Sequence, residues 1–261
     1  MAADNLLITL LPSTDVDLGR WMLQHYEVPF TERPHAPIFH VLALKSWGMG
    51  AEEYPLFVQN GKNTDAAKIP TDPQILSHFD PLAAPEKRLF PDKVTEPELF
   101  AKVDEIQHFA RMDVGNSVVN WSYFNLLKYK SAVWSSITTG VPWYEKLTCL
   151  VAFRVIKALM YGALKLDQKA SDEALKTIYA GFDKIDSYLA DGREYLVGDR
   201  LTYADLAVAA SLGPMVLAQG YQGFLPNQAA CPAYMREVYR ELRQRPTGLF
   251  VQRMYDQHRQ R

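Results

Sequence analysis

Cysteine is scarce in this 261-residue chain, and the two that occur, Cys149 and Cys231, stand far apart without metal-ligand or redox spacing. No disulfide framework is expected, a reducing compartment is the default, and both fit ordinary buried thiols. A charge excess of either sign is missing too. The net charge is -2, and no stretch gathers basic residues on one face, which argues against a nucleic-acid partner. Long hydrophobic runs are absent: no segment of about 18 residues escapes charge, so no transmembrane span is expected and no membrane partner with it. Asp4 stands where a signal peptide would carry positive charge. Together these point to a cytoplasmic protein. The six histidines have no metal-ligand spacing, so no metal is expected. Internal repeats and low-complexity segments are also lacking.

What is there is an ordinary globular composition, 48% apolar and 22% charged, long enough for one large or two modest domains. Leu6 to Leu11 is a short apolar run that reads as a buried strand. After Pro12-Ser13-Thr14 the period changes to that of a helix running to Tyr26. Val28 to Arg33 supplies a second strand, parallel to the first by a right-handed crossover. Ile38, Phe39, Leu42 and Leu44 suit a short helix before Gly48-Met49-Gly50. Tyr54 to Val58 is a strand, Asn60-Gly61 is the preferred dipeptide of a type I′ hairpin, and Thr64 to Ile69 returns. Asp72 to Phe79 starts a helix with Pro73 in its first turn.

This order, βαβ, short helix, ββα, is that of a thioredoxin-like domain over residues 1–80. Residues 81–97, with Pro81, Pro85, Pro91 and Pro97, read as a linker. Residues 98–261 read as all-helical: Glu98 to about Leu127, Trp143 to Leu166, Ser171 to Leu189, a helix from Thr202 to about Leu217, Pro232 to Arg243, and Gly248 to His258. The fold class expected is therefore α+β. The densest local agreement lies at Leu201-Thr202-Tyr203-Ala204-Asp205-Leu206. Thr202 suits an N-cap, Asp205 at N3 closes a capping box, and Leu201 with Leu206 forms a hydrophobic staple. The residues behind it are apolar nearly all round, as only a core helix tolerates.

That string, following an apolar pair, Gly198 and Asp199, resembles the buried helix in the C-terminal domain of the cytosolic glutathione S-transferase superfamily. The thioredoxin-like half, a Tyr-Pro at the third strand and the Pro-rich linker extend the resemblance over almost the whole chain. Against that plan, the block from Ser131 to Leu166 looks like one added helix.

The resemblance implies glutathione as co-substrate. Arg20 resembles the basic residue often found in the family's first helix, and counting back from it puts Ser13 where serine-type members carry the catalytic hydroxyl. The tyrosine-type position falls near Thr9, and no cysteine precedes Cys149, so those two chemistries are disfavoured. Ser13 would donate to the glutathione sulfur. Lowering a thiol pKa by about two units needs roughly 2.7 kcal/mol of preference for the anion, within reach of one hydroxyl and a helix N-terminus. Ser13 or Thr14 could equally do no more than cap the helix, and Thr14 is near enough to take the catalytic role.

By the same carry-over Pro55 is cis, and the backbone of Tyr54 pairs with the cysteinyl part of glutathione as an added strand would. Thr71 and Asp72 stand where the γ-glutamyl end docks, in altered order. Asp72, Glu52, Glu53, Asp15 and Asp17 all bring negative charge toward an anionic ligand or its thiolate, and Lys45, His40, Arg33 and Lys68 are the cations that could offset it. Arg111, Asn116, Asn120 and Tyr123 are the polar candidates for a second-substrate site, with Trp121 or Phe124 as its wall or as core.

The expectation is a serine-type transferase of detoxification kind. It would activate the glutathione thiol for attack on a small electrophilic or apolar molecule, as a homodimer joined through the N-terminal domain and the first C-terminal helices. A non-catalytic binding or scaffold protein of the same fold stays open, as does a glutathione-dependent lyase, dehalogenase or isomerase.

Overall fold

The computed structural model describes residues 4–61, 66–223 and 225–259. A four-stranded sheet has the order β2-β1-β3-β4. Strand β1 (Leu6–Leu10) lies parallel to β2 (Thr31–His35) and antiparallel to β3 (Leu56–Gln59), which pairs antiparallel with β4 (Ala67–Pro70). Both faces of β1 are covered. Because side chains alternate along a strand, Leu7 and Phe57 join the main core with Leu18, Trp21 and Met22 of α1 (Thr14–His25). Leu6, Ile8, Leu56 and Val58 meet Leu44 of α2 (Phe39–Ser46) on the opposite face.

The strands shift by one to three residues from expectation, β3 beginning at Leu56 rather than Tyr54. Strand β2 begins at Thr31 rather than Val28, because the N–H groups of Glu27 and Val28 return to the carbonyls of Gln24 and Leu23 and close α1. Asn60 does adopt the left-handed conformation (φ 54°) that an Asn-Gly turn favours. The register nevertheless pairs Gln59 with Ala67, so the connection is longer than a two-residue hairpin. Thr64, expected to open the returning strand, lies outside the described residues.

Helix α3 (Asp72–Phe79) completes the first half. The Pro-rich stretch after it is pinned at Leu89, which is fully buried. Its N–H donates to Asp80 Oδ1 (2.6 Å) and its carbonyl accepts from Tyr203 N–H (2.8 Å). Where one helix was expected over 98–127, α4 (Pro97–His108) passes through a π-helical turn, Phe109–Gly115, into α5 (Asn116–Leu126). The wide turn seats Val114 against Gly181, where an added Cβ would come within 2.7 Å of a Val114 methyl.

The expected single added helix is a correction. The block holds three helices, α6 (Lys130–Thr138), α7 (Trp143–Val151) and α8 (Phe153–Ala163). Gly140, at φ 78°, and Pro142 separate the first two, and Ala152 (φ -100°, ψ 19°) interrupts the helical path between the others. The chain continues with α9 (Gln168–Leu189), α10 (Tyr203–Val216), α11 (Ala233–Gln244) and α12 (Pro246–His258). Helix α9 starts ahead of Ser171 because the Asp167 carboxylate caps it through Ala170 N–H (2.7 Å).

Helix α10 is the buried helix, and the capping box forms. The Asp205 carboxylate accepts Leu196 N–H, Thr202 N–H (both 2.7 Å) and the Thr202 hydroxyl (2.8 Å). One side chain thereby fixes both the start of α10 and the loop that leads into it.

Candidate functional site

Helix α1 enters the site by its N-terminus. Ser13 is its N-cap and is buried, with Oγ accepting Val16 N–H at 3.4 Å. An accepting hydroxyl keeps its own proton free to donate. The Leu11-Pro12 and Tyr54-Pro55 peptides are both cis. Gly19 lets α1 lie against the second of these, since a Cβ there would stand 2.7 Å from Pro55 Cγ. The Pro55 carbonyl accepts Thr71 N–H (2.9 Å), tying the loop to the start of α3. The main-chain N–H and C=O of Tyr54 make no hydrogen bond among the described residues. An open donor and acceptor on one residue form a short strand edge.

Thr71 sits at φ 64°, unusual for a β-branched residue, and its hydroxyl makes no capping bond. Asp72 turns inward instead. Its carboxylate meets Arg111 Nη2 at 2.7 Å and accepts the Tyr203 hydroxyl at 3.0 Å. Burial raises its pKa to about 7, helped by Asp15 and opposed by Arg111 and Tyr203. Asp15, 3.8 Å from Arg111, is raised as well, chiefly by loss of solvent and against the pull of Arg111. The Tyr54 phenol is pushed up to about 12 by burial, with Asp15, Glu52 and Asp72 adding to it.

The acidic residues thus separate. Asp17 faces the C-terminal helix, accepting the Tyr255 hydroxyl (2.7 Å) and Arg259 Nη2 (2.9 Å), so it does not lie beside the proposed thiolate as the sequence suggested. Glu53 closes its own loop through Gly50 N–H, while Glu52 is exposed. Arg20 makes a buried fork on Glu32, with both contacts at 2.7 Å, and joins α1 to β2.

The expected cations are elsewhere. Lys68 donates to the Trp47 carbonyl (2.6 Å) and Lys45 is exposed. Arg33 lines an open groove between β2, α2 and the loop before α7. His40 stands edge-on to Tyr54 at 5.4 Å, with its pKa lowered to about 4 by burial and with Nδ1 unpartnered.

The structure does not gather the four second-substrate candidates around one cavity. Arg111 belongs to the Asp72 pair. Asn116 is exposed and donates to Met112 of its own helix. Asn120 has a buried, unpartnered Oδ1, one turn before Tyr123 on the same face. The Tyr123 hydroxyl donates to the Pro12 carbonyl (3.0 Å), and burial raises its pKa. Tyr123 also lines a narrow apolar cleft of about 50 Å³ with Pro12, Thr14, Val119, Leu126 and Tyr221. Trp121 packs edge-on to Tyr239 in the core, and Phe124 lies beneath Lys128. Tyr203, which meets Asp72, is a site neighbour that the sequence offered only as the residue after the Thr202 cap. Among the described residues no cluster of His, Cys, Asp or Glu suits a metal ion.

Residues 168–249 match the family model described as Glutathione S-transferase, C-terminal domain. No curated protein matches the sequence. Similar solved structures include a glutathione S-transferase from Xanthobacter autotrophicus Py2, at 16% identity and TM-score 0.56, covering 97% of this chain and 93% of that one. Another, from Methylobacterium radiotolerans and in complex with glutathione sulfonate, aligns at 16% identity and TM-score 0.52 over 94% and 93%. The GST-like domain of elongation factor 1-gamma from Saccharomyces cerevisiae aligns at 14% and 0.51 over 96% and 93%. This chain therefore has the glutathione S-transferase fold, a thioredoxin-like half with a four-stranded sheet followed by an all-helical half.

Proposed function

We propose that this protein binds glutathione at the N-terminus of α1 and uses its thiolate against a small electrophile. The observation that carries the reading is the open main-chain N–H and C=O of Tyr54, held ahead of Pro55 and available to a peptide backbone as a strand edge. Ser13 supplies the hydroxyl for the sulfur. Its cap bond uses a lone pair, so capping α1 and donating to a thiolate are compatible roles. Thr14 borders the apolar cleft, and the electrophile's apolar part would lie there against Val119, Leu126 and Tyr123. Thr71 and Asp72 would stand at the γ-glutamyl end, with Arg111 offsetting the Asp72 charge.

The test is calorimetric titration of glutathione and of S-hexyl-glutathione, together with conjugation of a chloronitrobenzene. Dissociation constants from micromolar to low millimolar, about -8 to -4 kcal/mol, are expected. Ser13→Ala should lower turnover at least about tenfold, or about 1.4 kcal/mol in the barrier, with the fold intact. Turnover unchanged in Ser13→Ala but lost in Thr14→Val would transfer the role to Thr14.

A second reading, a non-catalytic binding protein, is favoured by one feature: Asp15 and Asp72 share the single cation Arg111 where a ligand carboxylate would dock. Silence of both titrations would give that reading the lead. In either case a homodimer joined through the N-terminal domain and the first C-terminal helices is the assembly we propose, to be read from the mass in solution.

A further inference from the structure

Helices α7 and α8 each carry apolar side chains that no described part of the fold covers. Trp143, Leu147 and Val151 follow at four-residue spacing along α7, and Val155 and Leu159 do the same along α8. Trp143 is 75% exposed, Val151 81% and Val155 60%, whereas Cys149, Ile156 and Met160 face the core. Isolated exposed apolar residues are ordinary, but five on two adjoining helices are not.

The sequence that carries these residues is nearly one-signed. From Lys128 to Leu166 the chain holds Lys128, Lys130, Lys146, Arg154, Lys157 and Lys165 against one acidic residue, Glu145, which is buried and committed to His35. Lys146, Arg154, Lys157 and Lys165 make no ion pair among the described residues. This cationic block stands in a protein whose net charge is -2.

We propose that the outer face of α7 and α8 docks on an anionic lipid bilayer, lying in the headgroup plane. An interfacial helix places Trp and Leu on one side and Lys or Arg on the other, and anionic lipids reward each cation near the surface. No described helix is long and apolar enough to cross a membrane, so the contact is peripheral. A second copy fits the face poorly: across a two-fold axis the same cations would oppose each other, with no exposed carboxylate between Lys128 and Leu166 to meet them. The proposal is independent of glutathione binding.

The experiment is flotation of the full-length protein with phosphatidylcholine vesicles, with and without phosphatidylglycerol, at low and at raised salt. Binding at least about tenfold tighter to the anionic vesicles, weakening with salt, is expected. Lys146→Glu with Arg154→Glu should remove the anionic preference, and Val155→Asp should abolish binding. These exposed positions leave the fold to be verified by circular dichroism and melting. Failure to float, equal binding to both vesicles, or variants that float unchanged would overturn the proposal. Loss of a solution dimer in Val155→Asp, without flotation of the parent, would assign the face to a second copy. Capture on immobilised polyglutamate without flotation would assign it to an acidic protein.

Discussion

Arg111 reaches from the π-helical turn of the helical half to Asp72 at the first turn of α3, with Nη2 2.7 Å from Oδ2, and so one ion pair bridges the two halves of the molecule. Both side chains are withdrawn from water, and the Tyr203 hydroxyl from α10 supplies a further donor to the same carboxylate. In water such a pair contributes little; buried, its cost and its gain are both large.

Removing only the cation should therefore be expensive. Arg111→Ala is expected to lose about 3–5 kcal/mol in urea unfolding, because it leaves a carboxylate buried beside Asp15. Adding Asp72→Asn should recover part of that loss. An Arg111→Ala variant within about 1 kcal/mol of the parent would show that water reaches Asp72 freely.

The same carboxyl makes stability depend on pH. Its pKa rises from 3.8 to about 7 on folding, so the folded state holds the proton more tightly. The stabilisation is fully present below about 3.8 and is lost as pH rises through about 7. Melting temperature should fall between pH 4 and pH 8, and Asp72→Asn should flatten that slope. An unchanged slope in the variant would remove Asp72 as its origin.

Asp205 accepts two backbone N–H groups and one hydroxyl inside the core. Asp205→Ala orphans all three donors and should cost about 2–4 kcal/mol, more than the roughly 1 kcal/mol expected for Thr202→Ala. Equal losses in the two variants would mean that the box acts only through its cap.

Helix α10 was legible in the sequence because its signals are local: Thr202, Asp205 and Leu206 lie within one turn. The sheet is legible for the same reason, through the short apolar runs around Leu7 and Phe57 bounded by turn residues. The destination of Asp17 was not, because its partners Tyr255 and Arg259 come from the far end of the chain. Asp72 and Arg111 each stand out in the sequence, but as members of different subsites, since nothing in linear spacing reports a contact across the two halves. The block between α5 and α9 reads as one helix because 143–163 keeps a helical spacing of apolar residues among its charges, and the break at Ala152 carries neither Gly nor Pro.

That added block is moored at Glu145 of α7, whose carboxylate lies 2.6 Å from His35 Nδ1 and accepts Ala36 N–H at 2.8 Å. Removing it leaves a buried N–H and an imidazole without an acceptor, at a cost of about 1–3 kcal/mol. The loss should be local, since α7 packs against its neighbours α6 and α8 while α10 is held by other helices. Hydrogen exchange in Glu145→Ala is expected to speed up across residues 130–163 and to stay slow in α10. Exchange that quickens everywhere would make the block part of one cooperative unit. Exchange that stays slow in α7 would show that its apolar inner residues, Cys149 among them, hold the helix in place without the mooring.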